Sequence, residues 1–256
     1  MGRRPGARRA MIETLILRFD APLLAFGGVA VDNQGVVQDF PGLSMVAGLL
    51  GNALGFDHRE FDRLEALQRR LRVAARRDRK GQRLVDFQTV ALGQAFLEQG
   101  WTTRGVIEGR DGAFSDATHI RYRAYWADAV YTLAMTLEPA AETPDLDAVE
   151  RALREPERPL FLGRKACLPS VPILAGRRRC PALLAALAGF ERIPRERWEG
   201  GEPAPLAAWM PGSEAAEPLV REFPVTDERD WANQLVVGRR IVRQTSIMPP
   251  EASNVR

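Results

Sequence analysis

The stretch THIRYRAYWADAVYTLAMTLE, residues 118–138, decides how this chain folds. Its residues alternate with period two: Ile120, Tyr122, Ala124 and Trp126 share one face, while Arg121, Arg123 and Tyr125 share the other. Asp128 breaks the run, and Tyr131, Leu133, Met135 and Leu137 resume it as a second strand. Upstream, IETLILRF (12–19) reads as a buried strand, with Leu15, Leu17 and Phe19 on one face. LSMVAGLLGNALGF (43–56) reads as an apolar helix, with Ser44 near its N-terminus and Gly55 as its stop. Gly48 and Gly51 leave one face of that helix nearly bare, open to close approach by a sheet or a nucleic acid backbone. Phe61, Leu64, Leu67 and Leu71 mark a second helix over 58–75.

LVDFQTVAL (84–92) is a further strand candidate, followed by a Gly-rich stretch with little pattern of its own. Downstream, DLDAVERALR (145–154) is a short helix with Asp145 as its cap, and PLFLG (159–163) is a strand. PALLAALAGF (181–190) is a short helix, and LVVGRRIVRQTSI (235–247) a basic terminal strand. With an insertion at about 75–118 removed, the order is strand, helix, strand, strand, helix, strand. That is the split βαβ arrangement of ferredoxin-like folds, which RNA-recognition modules share. The expected fold class is therefore α+β: a ferredoxin-like (RRM-like) body over 11–190 carrying the insertion. A C-terminal extension, 191–256, packs on the same domain, and a disordered basic tail, 1–10, precedes it.

Composition sets the outer limits. The chain has 256 residues, 45% hydrophobic and 27% charged, which excludes collagen-like, fully disordered and disulfide-stapled classes. No apolar run approaches the roughly 20 residues of a membrane-spanning helix. Only Cys167 and Cys180 are cysteines, too few for a zinc cluster, and they suit a reducing cytoplasm. Of 36 basic residues only Lys80 and Lys165 are lysine; a GC-rich genome accounts for that bias, although arginine's planar fork also suits phosphates. The net charge is +3, and the tail alone carries four arginines and no acid, so the remainder nets 3 − 4 = −1. Positive charge gathers at 59–83 and 163–180, acids at 138–157 and 191–230.

Catalytic signatures are weak. The histidines are His58 and His119, and neither has a second base nearby in sequence. P-loop, HExxH, nucleophile-elbow and dinucleotide-binding motifs are missing. The positive signals fit nucleic acid: IRYRAYW alternates arginines with aromatics, and LFLGRKACLPS ends a strand in glycine before two cations.

Four blocks together resemble one family, the CasD-type subunits of Cascade, the type I-E CRISPR surveillance complex, within the RAMP superfamily. The blocks are LILRFDAPLLAFGG (15–28), SMVAGLLGNALGF (44–56), HIRYRAYWADAVYTLAM (119–135) and RPLFLGRKACLPSVPIL (158–174), in the family's order. One departure stands out: Leu24, Ala25, Phe26 and Gly27 occupy the place where relatives often carry Gln-Ser-Trp-Gly. The resemblance implies an RRM-type body with an inserted β-rich thumb. It implies a non-catalytic antiviral role without cofactor or metal: holding the 5′ handle of the crRNA and capping the backbone. The implied partners are CasC-type backbone subunits, a CasA-type large subunit and, through the assembled complex, target DNA. On this reading Arg121, Arg123, Arg164 and Lys165 contact phosphates. Gln88 and His119 hydrogen-bond at the thumb base, and Ser44 marks a helix N-terminus whose free N–H groups favour phosphate. The alternative is a metal-independent endoribonuclease that processes precursor crRNA, with Tyr122 or Tyr125, His119 and Lys165 as its acid–base group. A stand-alone RRM-like RNA binder is the third reading.

Overall fold

The computed structural model describes residues 10–28, 33–57, 59–91, 99–101, 107–109, 118–191, 204–215 and 217–250. The tail before residue 10 and His58 therefore lie outside the described residues. The body opens with β1 (Ile12–Asp20), which is buried on both faces. Two short strands, β2 (Leu23–Leu24) and β3 (Gln34–Gly35), punctuate the loop to α1 (Leu43–Ala53). Next come α2 (Phe61–Arg70) and β4 (Leu71–Arg79). An excursion follows, with β5 (Gln82–Ala91), β6 (Gln99–Trp101), β7 (Ile107–Gly109) and β8 (Thr118–Ala127). The chain re-enters the body through β9 (Val130–Leu137), α3 (Leu146–Arg154), β10 (Leu174–Cys180) and α4 (Leu183–Ala188). It ends with β11 (Leu206–Pro211), β12 (Leu219–Val225), β13 (Glu228–Asp230), β14 (Leu235–Val237) and β15 (Arg240–Ile247).

The main sheet has seven strands in the order β10-β1-β9-β4-β11-β15-β12, and neighbours are antiparallel. Its first four strands have the order and sense of a split βαβ unit, with α1 and α2 between β1 and β4 and α3 between β9 and β10. The C-terminal segment adds β11, β15 and β12 to that same sheet, so one hydrogen-bonded layer runs through both parts.

Three elements differ from the sequence reading. The body strand before β9 is β4, which pairs with it from Leu71↔Leu137 to Arg79↔Val130. Leucine spacing carries the apparent helix through Leu71, but from there Leu71, Val73 and Ala75 bury with period two against the helices. The run at 118–127 is β8, which pairs instead with β5 over ten residues, from Gln82↔Ala127 to Ala91↔Thr118. Asp128, in the left-handed region at φ 57°, turns the chain from this second sheet back into the body. The inserted strands thus run from β5 to β8, beyond the 75–118 expected. Finally, residues 159–163 form no strand, and β10 closes the body. The 162–167 backbone turns on itself, Leu162 N–H donating to Cys167 O (2.7 Å) and Cys167 N–H to Arg164 O (2.8 Å).

Helices cover both faces of the main sheet over β1, β9 and β4. Leu15, Leu17, Phe19, Leu133 and Met135 pack against α1, α2 and α3. On this side Phe26 meets Tyr131 edge-on at 4.9 Å, and the Tyr131 hydroxyl donates to Asp39 O at 2.8 Å. Phe26, in the loop after β2, is fully buried core. On the opposite face Ile16, Ala74, Ala134, Met210 and Ile247 pack against Leu183, Ala186 and Leu187 of α4. Arg76, wholly buried on β4, fixes the end of α4: it donates to Leu187 O (2.6 Å) and Phe190 O (2.8 Å) and pairs with Asp78 (2.6 Å). An RNA-recognition sheet exposes stacking aromatics on its helix-free face. Here α4 occupies that face, so it offers no such stacking platform.

Candidate nucleic-acid interface

A cleft of about 650 Å³ opens between the loop after β2, one side of α1 from Ser44 to Asn52, the 158–164 segment and the β13–β14 hairpin. Arg158, Arg164 and Arg229 line it, together with Ser44, Asn52 and Phe161. Gly27 and Gly28 form part of its rim. Gly163 sets one wall, because its φ of +102° and the 1.9 Å between a notional Cβ and Ala25 O exclude any side chain. Beside it, Ala25 N–H donates to Leu162 O at 3.1 Å and ties the two loops together. Arg158 donates to Phe56 O at 2.7 Å.

Arg229 reaches the cleft through a precise local arrangement. The buried Gln68 side chain acts like a strand edge toward it: Nε2 donates to Arg229 O (3.0 Å), and Oε1 accepts from Arg229 N–H (3.1 Å). The Trp231 ring then rests on Gly48, where a Cβ would stand only 3.2 Å from it. The bare face of α1 thus receives Trp231 at Gly48 and Leu64 at Gly51. A protein side chain, not an RNA backbone, makes the close approach.

The β5–β8 ribbon presents two unlike faces. Asp86, Gln88, Arg121 and Arg123 lie on one, with Gln88↔Arg121 and Asp86↔Arg123 directly opposite in register. Gln88 donates to Asp86 Oδ2 at 2.6 Å, and Arg121 and Arg123 are exposed. The other face is apolar: Val85, Phe87 and Ile120 are each more than 40% exposed, and Phe87 meets Tyr122 edge-on at 5.6 Å. Tyr125 follows Arg121 and Arg123 on the charged face but is buried, with the Arg164 guanidinium 4.6 Å above its ring.

Arg164 joins ribbon and cleft. Its Nη1 donates to Ala124 O on β8 (2.7 Å) and its Nη2 to Gly35 O on β3 (3.2 Å), while the side chain also lines the cleft. Lys165 beside it is exposed. The structure therefore brings Gln88, Arg121 and Arg123 together on the ribbon, and Ser44 and Arg164 together in the cleft. The backbone of His119 sits in β8, and its side chain lies outside the described residues.

The N–H groups expected to be free at the start of α1 are partly taken: Leu43 N–H donates to Asp227 Oδ2 and Ser44 N–H to Asp227 O, both at 2.9 Å. Asp227 in turn is held by Arg240 Nε (2.7 Å) and Nη2 (2.6 Å). A carboxylate from the C-terminal segment already supplies the negative charge that this helix end attracts. Ser44 offers the cleft its side chain rather than a phosphate-binding N–H.

The basic runs are also less available than their charge suggests. Within 59–83, Arg70 is buried against Pro139 O, Glu142 O and Pro144 O, and Arg72 and Arg79 pair with Glu138 and Asp128. Within 163–180, Arg177 pairs with Glu13, Asp147 and Glu150. Its hydrogen bond holds the Asp147 carboxyl below the usual range, and Arg154 followed by Arg177 does the same for Glu150. Burial pushes the Cys167 thiol up, away from reactive thiolate. Arg158 and Arg229 are the cleft arginines that the sequence did not mark. Arg158 opened a recognised block without being singled out, and Arg229 sits in an acidic segment where only the Gln68 contact reveals its direction.

The family model described as CRISPR-associated protein (Cas_Cas5) matches residues 14–243. The chain belongs to this family. It is 31% identical over 157 residues to the CRISPR system Cascade subunit CasD of Escherichia coli (strain K12), covering 61% of this chain and 67% of the relative. In fold it is similar to a chain of a CRISPR RNA-guided surveillance complex, at a TM-score of 0.63 and 24% identity, covering 93% and 91% of the two chains. It is also similar to a solved structure described as a Cas protein, at a TM-score of 0.60 and 26% identity, covering 93% and 98%. The Cas5 family model spans β1 to β15, so it takes in both the cleft and the ribbon.

Proposed function

We propose that this Cas5-family chain is a non-catalytic subunit of a type I-E Cascade complex that holds the 5′ handle of the guide crRNA. The observation that carries the reading is the arginine-lined cleft, continuous through Arg164 with the charged face of the ribbon. A hooked single strand needs contacts from several directions, and cleft and ribbon offer cations on separate elements of the fold. Arg158, Arg229 and Lys165 contact phosphates, with Arg121 and Arg123 extending the track along the ribbon. Ser44, Asn52 and Gln88 supply hydrogen bonds, as does His119, which the register puts at the end of the ribbon away from the body and not at its base. CasC-type subunits continue the backbone that this subunit caps, a CasA-type subunit docks beside it, and target DNA arrives through the assembled complex in the cytoplasm.

The test is the double variant Arg158→Ala with Arg229→Ala, assayed for guide retention against salt. Losing two phosphate contacts lowers the salt slope by about 1.4, at roughly 0.7 per contact for a single strand. Guide retention and slope equal to the parent's would refute the cleft assignment. The endoribonuclease alternative is not favoured, because Tyr125, which shares its ribbon face with position 119, is covered by Arg164, and Tyr122 lies on the opposite face. Incubating the chain with repeat RNA in EDTA distinguishes the two, since site-specific cleavage lost on His119→Ala supports the enzyme.

A further inference from the structure

We infer that Arg164 is a positioning residue, one that couples occupation of the cleft to the seating of the inserted sheet. The inference rests on the RNA-binding reading above. A guanidinium has five N–H donors in a rigid fork. In Arg164, Nη1 and Nη2 are committed to carbonyls on two strands of the second sheet, Ala124 O on β8 and Gly35 O on β3. Those strands run parallel, with Gln34↔Tyr122 and Gly35↔Arg123 in register, and their junction is short: β3 has two residues. A pairing of that length gives little protection by itself. Arg164 clips it from the side while its guanidinium covers Tyr125.

Arg164 also lines the cleft, and the two carbonyl bonds use only two of its five N–H donors. A phosphate bound there engages the same planar group without displacing the carbonyls. Charge-assisted bonds hold the fork more firmly than neutral ones, and a firmer fork holds β3 on β8. Filling the cleft therefore tightens the root of the ribbon. By reciprocity, a well-seated ribbon raises affinity in the cleft by the same factor. Gly35 fits this role: a Cβ there would stand 2.9 Å from Arg164 Nη2, so any larger residue pushes the fork off its carbonyl.

Two variants isolate the coupling. Arg164→Lys keeps the charge and loses the fork. Gly35→Ala keeps Arg164 whole, displaces Nη2 and sets a Cβ 3.3 Å from Tyr122 O, so β3 must also give by a few tenths of an ångström; the variant's RNA-free Tyr122 exchange is therefore its own reference. The readout is hydrogen exchange at the Tyr122 amide, which donates to Asn33 O (3.0 Å) and reports the β3–β8 junction. The full chain is measured with and without single-stranded repeat RNA carrying the 5′ handle, with binding followed in parallel by fluorescence anisotropy. In the parent, RNA slows Tyr122 exchange about fivefold or more. Gly35→Ala binds RNA about fivefold more weakly than the parent, by the same reciprocity, and at saturating RNA its Tyr122 exchange no longer responds. Arg164→Lys binds more weakly and also fails to respond at saturating RNA. A parent that binds RNA without slowing at Tyr122, or variants that still respond, would overturn the coupling and leave the RNA reading standing. A parent that binds no RNA overturns both.

Discussion

Replacing Asp227 with alanine should loosen the molecule where the C-terminal segment meets α1. The Asp227 side chain is 2% exposed and Arg240 19%. Two losses follow. The Leu43 N–H loses a side-chain acceptor, as in removal of a helix N-cap, at about 1 kcal/mol. Arg240 loses a bidentate partner; breaking a buried ion pair costs about 3–5 kcal/mol, and the residual exposure of Arg240 places this case lower, near 2 kcal/mol. The sum is about 3 kcal/mol, a large part of the roughly 5–15 kcal/mol that holds a domain together. Equilibrium urea denaturation of Asp227→Ala, Arg240→Ala and the double variant measures it. Because both single changes break the same pair, the double should cost about 2 kcal/mol less than their sum. Strict additivity, or a loss under 1 kcal/mol for Asp227→Ala, would show that the carboxylate does not anchor this helix.

Two further outcomes follow from the geometry. Asp147 and Glu150 have depressed folded-state pKa values through Arg177 and Arg154, so their contribution is present above their ordinary values of 3.8 and 4.5 and is lost as pH falls through the lower folded values. Arg177→Met should therefore be less stable at neutral pH and lose less on acidification below about pH 4.5, read from melting temperature against pH. Gly163→Ala forces a side chain into a positive-φ position against Ala25 O, at a cost of about 2–3 kcal/mol. Thermal unfolding should register that loss, together with weaker RNA retention as the cleft wall shifts, and an unchanged melting temperature would contradict the packing described.

Much of the body could be read from periodicity. The alternation in β1 and β9, the apolar α1 and the Asp145 cap of α3, which accepts from Ala148 N–H at 2.8 Å, are local features and appear where the pattern puts them. The misplacements share one cause. Alternation shows that 118–127 is a strand but cannot say which strand it pairs with, since pairing depends on residues far away in sequence. In the same way, Leu64, Leu67 and Leu71 keep helical spacing across the α2–β4 boundary, and only burial on both sides reveals the strand.

For the candidate site the division is sharper. Local chemistry marked Gln88, Arg121, Arg123, Arg164 and Lys165, and four of these face the ribbon or the cleft, while Lys165 is simply exposed. It could not show that Arg70 and Arg76 are consumed by backbone carbonyls, that Asp227 fills the α1 N-terminus, or that Arg229 reaches the cleft. The sequence alone determined the kinds of element and the supply of cations, because both follow from side-chain spacing and type. Tertiary structure decided which cations remain open to a ligand. An arginine's availability depends on the carbonyls and carboxylates packed against it, and in this chain many of those come from 40 or more residues away.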